Sequence, residues 1–162
     1  MKSYAFIIMK PDALEAELVE TIISRFKEHD FQIEMVGFKK ADETLIISHY
    51  EDVIKKLGPS FKTILVSDLL GKGLLPVILS QEGQDAIVNA RALTGATDPK
   101  KALSETIRGD FGQDSMEAAN QEGRNCHNLI HCSDSEESFK KEIKLWFFRW
   151  RKAILSVDVQ TE

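Results

Sequence analysis

The stretch Tyr4-Ala5-Phe6-Ile7-Ile8-Met9 is apolar throughout and ends abruptly at Lys10-Pro11-Asp12. A short continuous apolar run that stops at a turn-forming residue is typical of a β-strand buried on both faces of a sheet. Lys10 follows this run directly, so its ammonium group should project from a rigid support. We therefore expect a core strand over Tyr4–Met9 with a lysine fixed at its end.

The rest of the chain continues with alternating helical and strand patterns. Leu14, Leu18, Ile22 and Phe26 recur at every fourth residue, which predicts one amphipathic helix. The other predicted elements are a half-buried strand at 31–37, one or two short helices in 42–57, a helix over 60–70, a buried strand over 74–79, a helix over 83–93 closed by Gly95, a short helix over 102–107, a strand over 128–131 and a last helix over 135–148. This order fits an α/β (α+β) fold, a ferredoxin-like four-stranded antiparallel sheet covered by helices.

Length and composition indicate one ordinary soluble domain. The 162 residues fit a single domain over 1–162, with 43% hydrophobic and 29% charged residues. A net charge of −5 argues against broad nucleic-acid binding but leaves small anionic substrates open. Two cysteines outside any CxxC pair favour a reduced, cytoplasmic setting, and no apolar window is long enough to span a membrane.

Two segments stand outside the predicted sheet and helices. The polar stretch 112–124 is expected to be a surface insertion with a turn of helix at 116–120, and shortening it should leave the chemistry intact. Residues 149–162 are expected to form a C-terminal tail.

The segment Asn128-Leu129-Ile130-His131-Cys132-Ser133-Asp134-Ser135 carries the candidate chemistry. A neutral imidazole at the end of a short apolar run is a competent nucleophile toward a phosphoryl group. Glu137, Glu142 and Ser133 could orient the ring. Ser133 also begins a Ser-x-x-Glu pattern ending at Glu136, which predicts that it caps the last helix.

This segment resembles the active-site signature of the nucleoside diphosphate kinases, Asn-x-x-His-small-Ser-Asp followed by Ser or Ala. Four further stretches agree with that family in order along the chain, from about residue 4 to 147: Lys10-Pro11-Asp12, Thr97-Asp98-Pro99, Thr106-Ile107-Arg108-Gly109-Asp110-Phe111 and Glu142-Ile143-Lys144-Leu145-Trp146-Phe147. The resemblance implies transfer of the γ-phosphoryl group of a nucleoside triphosphate, typically ATP, to a diphosphate such as GDP or ADP. It further implies a ping-pong cycle through phosphohistidine, Mg²⁺ held mainly by nucleotide phosphates and water, and a cytoplasmic homo-oligomer, either hexamer or tetramer.

The resemblance also implies roles for individual residues. His131 would be the nucleophile, Lys10 would touch the transferring phosphate, and Asn128 would bind the sugar hydroxyl. The resemblance also implies that the Tyr50 hydroxyl orients the ring and that Ser133 holds Glu142 behind the histidine. The other implied site residues are Arg91, Thr97 and Arg108 on the phosphates, and Phe61 with Leu65 against the base. Because stacking needs only a π-face, base selectivity is expected to be low.

Competing interpretations of these residues were weighed. Cys126, His127, His131 and Cys132 crowd into seven positions like zinc ligands, but strand alternation would place the two cysteines opposite the two histidines. His127 is expected in the same strand as His131, and His49 is expected to be solvated or to cap a helix. A non-catalytic nucleotide-sensing or protein-interaction relative, and an RNA-binding module of similar topology, are the alternative functions.

The chain also departs from the family pattern. Ala16-Glu17 stands where an Arg-Gly pair is usual, and Glu105 stands where a glycine often precedes Thr-Ile-Arg. Cys126-His127 replaces the usual Gly-Arg before Asn128, which places one ion pair near the site in doubt.

Overall fold

Strand β1 (Lys2–Met9) lies in the middle of the sheet and organises the rest of the molecule. The structure, a computed structural model, describes residues 1–147, so the expected tail at 149–162 and the last residue of the final predicted helix lie outside the described part. β1 pairs antiparallel with β4 (Gly73–Glu82) on one side and with β5 (Ile130–Cys132) on the other. β2 (Gln32–Val36) pairs antiparallel with the far edge of β4. The resulting order, β2-β4-β1-β5, confirms the four-stranded antiparallel sheet of ferredoxin-like topology.

Helices cover both faces of this sheet, and a two-residue strand, β3 (Lys39–Lys40), pairs with the start of β4. The helices are α1 (Pro11–Glu15), α2 (Val19–Glu28), α3 (Glu43–His49), α4 (Glu51–Leu57), α5 (Pro59–Leu69), α6 (Ala86–Thr94), α7 (Ile107–Phe111), α8 (Met116–Glu122) and α9 (Glu136–Trp146), with a 3₁₀ turn at Pro99–Lys101. Within residues 1–147, none of these helices has the length and apolar character needed to cross a membrane.

The apolar run of β1 explains why the core has two layers. Ala5, Ile7 and Met9 point into one cluster with side chains of α2 and α6, whereas Phe6 and Ile8 point into another with side chains of α3, α5 and α9. All five side chains are at most 1% exposed. Burying both faces of a strand removes its whole apolar surface from water, which is the dominant favourable term in folding.

Several predicted boundaries change in the structure. The single helix expected over Leu14–Phe26 is two helices, α1 and α2, because the chain reverses at Glu17 with a φ of +58°. The short helix expected over 102–107 is wrong. α7 begins at Ile107, because the Thr106 hydroxyl accepts the Gly109 N–H at 3.0 Å and caps the helix there.

The predicted strand over 128–131 is also shorter than expected, because a tight turn precedes β5. The Ile130 N–H donates to the Asn128 carbonyl at 2.8 Å, closing a three-residue turn around Leu129, whose φ is +71°. In an uninterrupted strand Asn128 and His131, three residues apart, would point to opposite faces. The turn interrupts the alternation of side chains along the strand, so that the Asn128 and His131 side chains both reach the same cleft.

Two glutamates occupy left-handed backbone positions where the family usually has glycine. Glu17 has a φ of +58° and Glu105 a φ of +70°. The Glu105 backbone is held by two contacts: its N–H donates to Asp110 Oδ1 at 3.0 Å and its carbonyl accepts from Arg25 Nη1 at 2.7 Å. A residue with a Cβ is strained in this conformation, and the surrounding contacts hold it there.

We predict that Glu105→Gly raises the free energy of unfolding by about 0.5–1 kcal/mol, because relief of the left-handed strain outweighs the extra entropy that glycine loses on folding. Both backbone hydrogen bonds are kept by the substitution. Denaturant unfolding measures the change, and Glu105→Gln, which retains the Cβ and removes the charge, is the control. A glycine variant no more stable than wild type would contradict the prediction.

Candidate functional site

A cleft of about 420 Å³ opens where β1 ends and β5 begins. Its volume lies in the range of small-molecule sites. Ten of the eleven site residues named from the sequence line it: Lys10, Tyr50, Phe61, Leu65, Arg91, Thr97, Arg108, Asn128, His131 and Glu142. The eleventh, Ser133, lies behind the cleft and contacts Glu142. The structure therefore brings together residues that are spread over more than 130 positions of the sequence.

His131 is held at its Nε2 by Glu142. The distance from His131 Nε2 to Glu142 Oε2 is 2.9 Å, and the Ser133 hydroxyl donates to the same carboxylate oxygen. A carboxylate oxygen that takes both contacts acts as an acceptor, so the His131 Nε2 must carry the proton. In a neutral ring this leaves Nδ1 with its lone pair available.

Ser133 does not cap α9 and Glu137 does not orient the His131 ring, although the sequence suggests both roles. The cap of α9 is Ser135, whose hydroxyl accepts the Ser138 N–H at 3.1 Å, so the expected cap at Ser133 is wrong. Ser133 is 1% exposed and its hydroxyl donates to Glu142, which is the second role that the resemblance implied for it. Glu137 is exposed and does not line the cleft, so Glu142 is the glutamate that orients the ring.

His49 was expected to be solvated or to cap a helix, and the structure places it against His131 instead. The two ring centroids are 4.5 Å apart at an interplanar angle of 81°. The His49 Nδ1 accepts the Trp146 Nε1–H at 3.2 Å, which fixes the orientation of the ring. Burial, and secondarily the neighbouring His131, lowers the pKa of His49 well below 6.5. His49 is therefore a neutral packing surface for the candidate nucleophile.

Lys10 and Asn128 form a buried pair beside His131. The Lys10 ammonium donates to Asn128 Oδ1 at 2.7 Å, and Asn128 Nδ2 donates to the Thr97 carbonyl at 2.9 Å. Lys10 is 8% exposed, and burial, reinforced by the nearby Arg108, lowers the pKa of Lys10 to about 8. Asn128 thus has a positioning role, because it holds the lysine at the end of β1.

Arg108 is fixed by three backbone carbonyls. Its guanidinium donates to the carbonyls of Asn128 at 3.1 Å, Gly95 at 3.1 Å and Ile130 at 2.6 Å. Gly109 lets the backbone approach closely at this point, because a Cβ there would clash with the Leu103 carbonyl oxygen. The arginine is therefore rigid before anything binds.

The cleft has a strongly cationic end. Lys10, Arg91 and Arg108 line it, and none forms an ion pair with a carboxylate within residues 1–147. Arg91 donates to the Cys132 carbonyl at 3.2 Å, beside His131 in β5. Three converging cations beside one imidazole suit a polyphosphate better than a neutral ligand.

Tyr50 lines the cleft, and its aromatic ring packs on His49. Its ring centroid is 4.7 Å from that of His49, and burial raises the pKa of its hydroxyl above the ordinary value. In the part of the chain that the structure describes, no hydrogen bond joins the Tyr50 hydroxyl to His131. The structure places Tyr50 near His131 through ring packing on His49.

The other end of the cleft is apolar. Phe61 lines it as expected, whereas Leu65 is 1% exposed and belongs mainly to the core. Val53 and Leu57, which the sequence did not single out, line the same end and are 41% and 54% exposed. A surface of this kind suits the face of an aromatic ring.

The segment 112–124 contributes directly to the cleft wall. Met116, Ala119 and Asn120 of α8, together with Arg124, line the cavity. This placement argues against the expectation that the segment can be shortened without loss of phosphorylation. That expectation is still a prediction, because only a shortened variant would test it.

The residues weighed as zinc ligands are dispersed. β5 begins at Ile130, so His127 is not in the strand of His131, and its Nε2 lies 3.2 Å from Asp68 Oδ1 in α5. Within residues 1–147 the donors that do converge are His49, His131 and Glu142. Two imidazoles and one carboxylate are not the oxygen set that Mg²⁺ prefers.

Comparison with known proteins agrees with the site. The model of the family described as nucleoside diphosphate kinase matches residues 3–150. A nucleoside diphosphate kinase from Methanobrevibacter smithii is 40% identical over 143 residues, covering 88% of this chain and 85% of that protein. One from Streptococcus pneumoniae is 38% identical, covering 88% of this chain and 97% of that protein.

Solved structures give the same result. A transition-state mimic of nucleoside-diphosphate kinase from Borrelia burgdorferi, with bound vanadate and ADP, superposes with a TM-score of 0.83 at 29% identity and covers 90% of this chain and 87% of that one. An NDP kinase from Pyrobaculum aerophilum superposes with a TM-score of 0.81 at 29% identity, covering 93% and 98%.

Proposed function

The chain belongs to the nucleoside diphosphate kinase family, and from that membership we propose that it transfers phosphoryl groups through His131. The reaction class is phosphoryl transfer between nucleotides. One observation carries the choice of nucleophile: the Nε2 of His131 is tied to Glu142, and the ring lies in a cleft with three cations that have no partner carboxylate among residues 1–147. A nucleophile oriented by a second group is the general arrangement of covalent catalysis.

The proposed cycle has two displacements at phosphorus. His131 Nδ1 attacks the γ-phosphorus of a nucleoside triphosphate, and the bond from that phosphorus to the bridging oxygen breaks, releasing the diphosphate. A terminal phosphate oxygen of a second diphosphate then attacks the phosphohistidine, and the P–N bond breaks to restore the imidazole. During the first step Glu142 stabilises the positive charge that develops on the ring, because it accepts the Nε2–H.

The cations position the phosphates and neutralise developing charge. Lys10 and Arg108 are both less than 10% exposed, so their charges act in a poorly solvated setting. Arg108 is held by three carbonyls, and Lys10 by Asn128, so little reorganisation is needed when substrate binds.

Mg²⁺ fits this site as part of the bound nucleotide. Of the carboxylates that line the cleft, Glu142 is engaged with His131 and Ser133, which leaves Asp52 and Asp134. A cation held by phosphate oxygens and water therefore suits the site better than one held by a protein cage. When bound, it would neutralise charge on the phosphate oxygens.

The expected homo-oligomer and cytoplasmic location belong to the same proposal. β2 forms an edge of the sheet, and Val36 with Phe38 beside it are 52% and 62% exposed. An open strand edge with apolar side chains is a surface that a second copy can cover. Sedimentation velocity tests this assembly, and a species of 18.3 kDa at micromolar concentration would contradict it.

We predict that protein incubated with γ-labelled ATP and Mg²⁺ gains an acid-labile, base-stable phosphate that GDP removes. His131→Ala should abolish the label, because it removes the nucleophilic nitrogen. His127→Ala is the control and should keep it, since His127 contacts Asp68 instead of lining the cleft. Label that survives in His131→Ala would overturn the assignment, and absence of label in wild type would favour a non-catalytic relative.

Lys10 gives the reaction a pH dependence. Because burial lowers the pKa of Lys10 to about 8, the free enzyme loses this cation as the pH rises through that value. We predict that kcat/KM falls above pH 8, approaching about tenfold per pH unit. Lys10→Arg should be slower but lack this alkaline limb, since arginine stays charged. An identical alkaline limb in both proteins would exclude Lys10 as its source.

A further inference from the structure

Helix α8 lies inside the polar segment 112–124, which is expected from the sequence to be a surface insertion, yet it faces the cleft. Met116, Ala119 and Asn120 all line the cavity. Their spacing of i, i+3 and i+4 places them on one helical face. The other members of the helix face elsewhere, and Glu117 and Gln121 are exposed without lining the cleft.

The helix is fixed in this position at its start. The Ser115 hydroxyl caps α8 by accepting the Ala118 N–H at 3.1 Å, and the Met116 N–H donates to Asp98 Oδ1 at 3.3 Å. Asp98 belongs to the Thr97-Asp98-Pro99 stretch, so α8 is tied to a loop that itself reaches the cleft. Ala119 is 1% exposed, which shows that one face of the helix is packed.

A second anchor holds the end of the segment. Arg124 binds both carboxylate oxygens of Asp114, at 2.6 Å and 2.9 Å, and the His127 N–H donates to the same carboxylate at 2.8 Å. Such a bidentate contact fixes direction as well as distance. The segment therefore closes on itself and is joined to the chain just before Asn128.

The wall supplied by α4 and α5 is mostly apolar, with Asp52 as its charged member, and part of it is exposed. Val53, Leu57 and Met116 are three of the large apolar side chains that are more than a third exposed, and all three line this one cleft. The cationic residues are grouped at its other end, around His131. A ligand with phosphates at the cationic end would place its base among these apolar side chains.

We propose that α8 is a second wall of the base site, and that Met116 and Asn120 make the enzyme favour purine over pyrimidine diphosphates; this rests on the proposed function. A base between two apolar walls loses water from both faces, so the larger purine ring gains more from binding. If the base packed only against the wall that contains Phe61, as the sequence suggested, the difference in affinity between purine and pyrimidine diphosphates would be small.

Asn120 supplies the polar contact in this wall. It is exposed, and its side-chain amide makes no hydrogen bond to the part of the chain that the structure describes. An amide offers two donors and an acceptor, which match the mixed donor and acceptor edge of a purine. Arg124, the other polar residue that the segment contributes, is occupied by Asp114 and Glu122.

The test measures discharge of pre-phosphorylated enzyme by ADP, GDP, CDP and UDP in single turnovers. Wild type should reach half-maximal discharge at lower concentrations of ADP and GDP than of CDP and UDP. Met116→Ala should raise the half-saturating concentration of the purine diphosphates about tenfold and that of the pyrimidine diphosphates much less. The maximal rate should not change, because the cationic end is untouched.

Asn120→Ala should change the ratio between ADP and GDP by about three- to tenfold, as expected for loss of one hydrogen bond. Gln121→Ala, on the same helix but outside the cleft, is the matched control and should behave as wild type. The proposal that α8 forms a second wall would be overturned if wild type had equal half-saturating concentrations for all four diphosphates. It would also be overturned if the half-saturating concentrations of Met116→Ala equalled those of wild type. Failure of wild type to accept phosphate from ATP would instead overturn the proposed function.

Discussion

The carboxylate of Glu142 is the contact on which the rest of the site depends. It reaches from α9 to β5, receives the Ser133 hydroxyl and the His131 Nε2–H, and is 8% exposed. A buried carboxylate is costly unless it is hydrogen-bonded, so these two contacts offset the cost of burying Glu142. They also fix which nitrogen of the ring is free. One interaction thus joins the packing of α9 to the protonation of the His131 ring.

The sheet fixes the positions of the other candidate site residues relative to His131. β1 is buried on both faces, so Lys10 at its end has little freedom, and Ile8 opposite His131 sets the register of β5. The turn around Leu129 then brings Asn128 to the same cleft as His131, where it holds Lys10 at 2.7 Å. A left-handed leucine is strained, and the Leu129 N–H bond to Asp12 at 2.9 Å helps to keep it there.

Much of this could be predicted from the sequence, and the rest fails for identifiable physical reasons. The run Tyr4–Met9 and the four-residue spacing from Leu14 encode burial directly, and the Asn128–Ser135 motif pointed to the histidine that lies beside Glu142 in the cleft. The turn at Leu129 could not be predicted, because nothing in an apolar residue signals a positive φ. His49 was missed because a histidine beside a tyrosine has no distinctive spacing, and its role depends on Trp146, 97 positions away. α8 was underestimated because a polar composition does not reveal which face packs. Ser133 and Ser135 both fit a helix cap, and only the direction of Glu142 separates them.

The most direct measurement of the central claim is the ¹⁵N NMR spectrum of the His131 ring, assigned with His131→Ala and recorded where the ring is neutral. The account predicts a protonated Nε2 and an unprotonated Nδ1. It also predicts that this preference weakens in Glu142→Gln, because the amide that replaces the carboxylate can donate as well as accept. A neutral ring protonated at Nδ1 in the wild-type protein would contradict the account, since the nitrogen proposed to attack phosphorus would then have no lone pair.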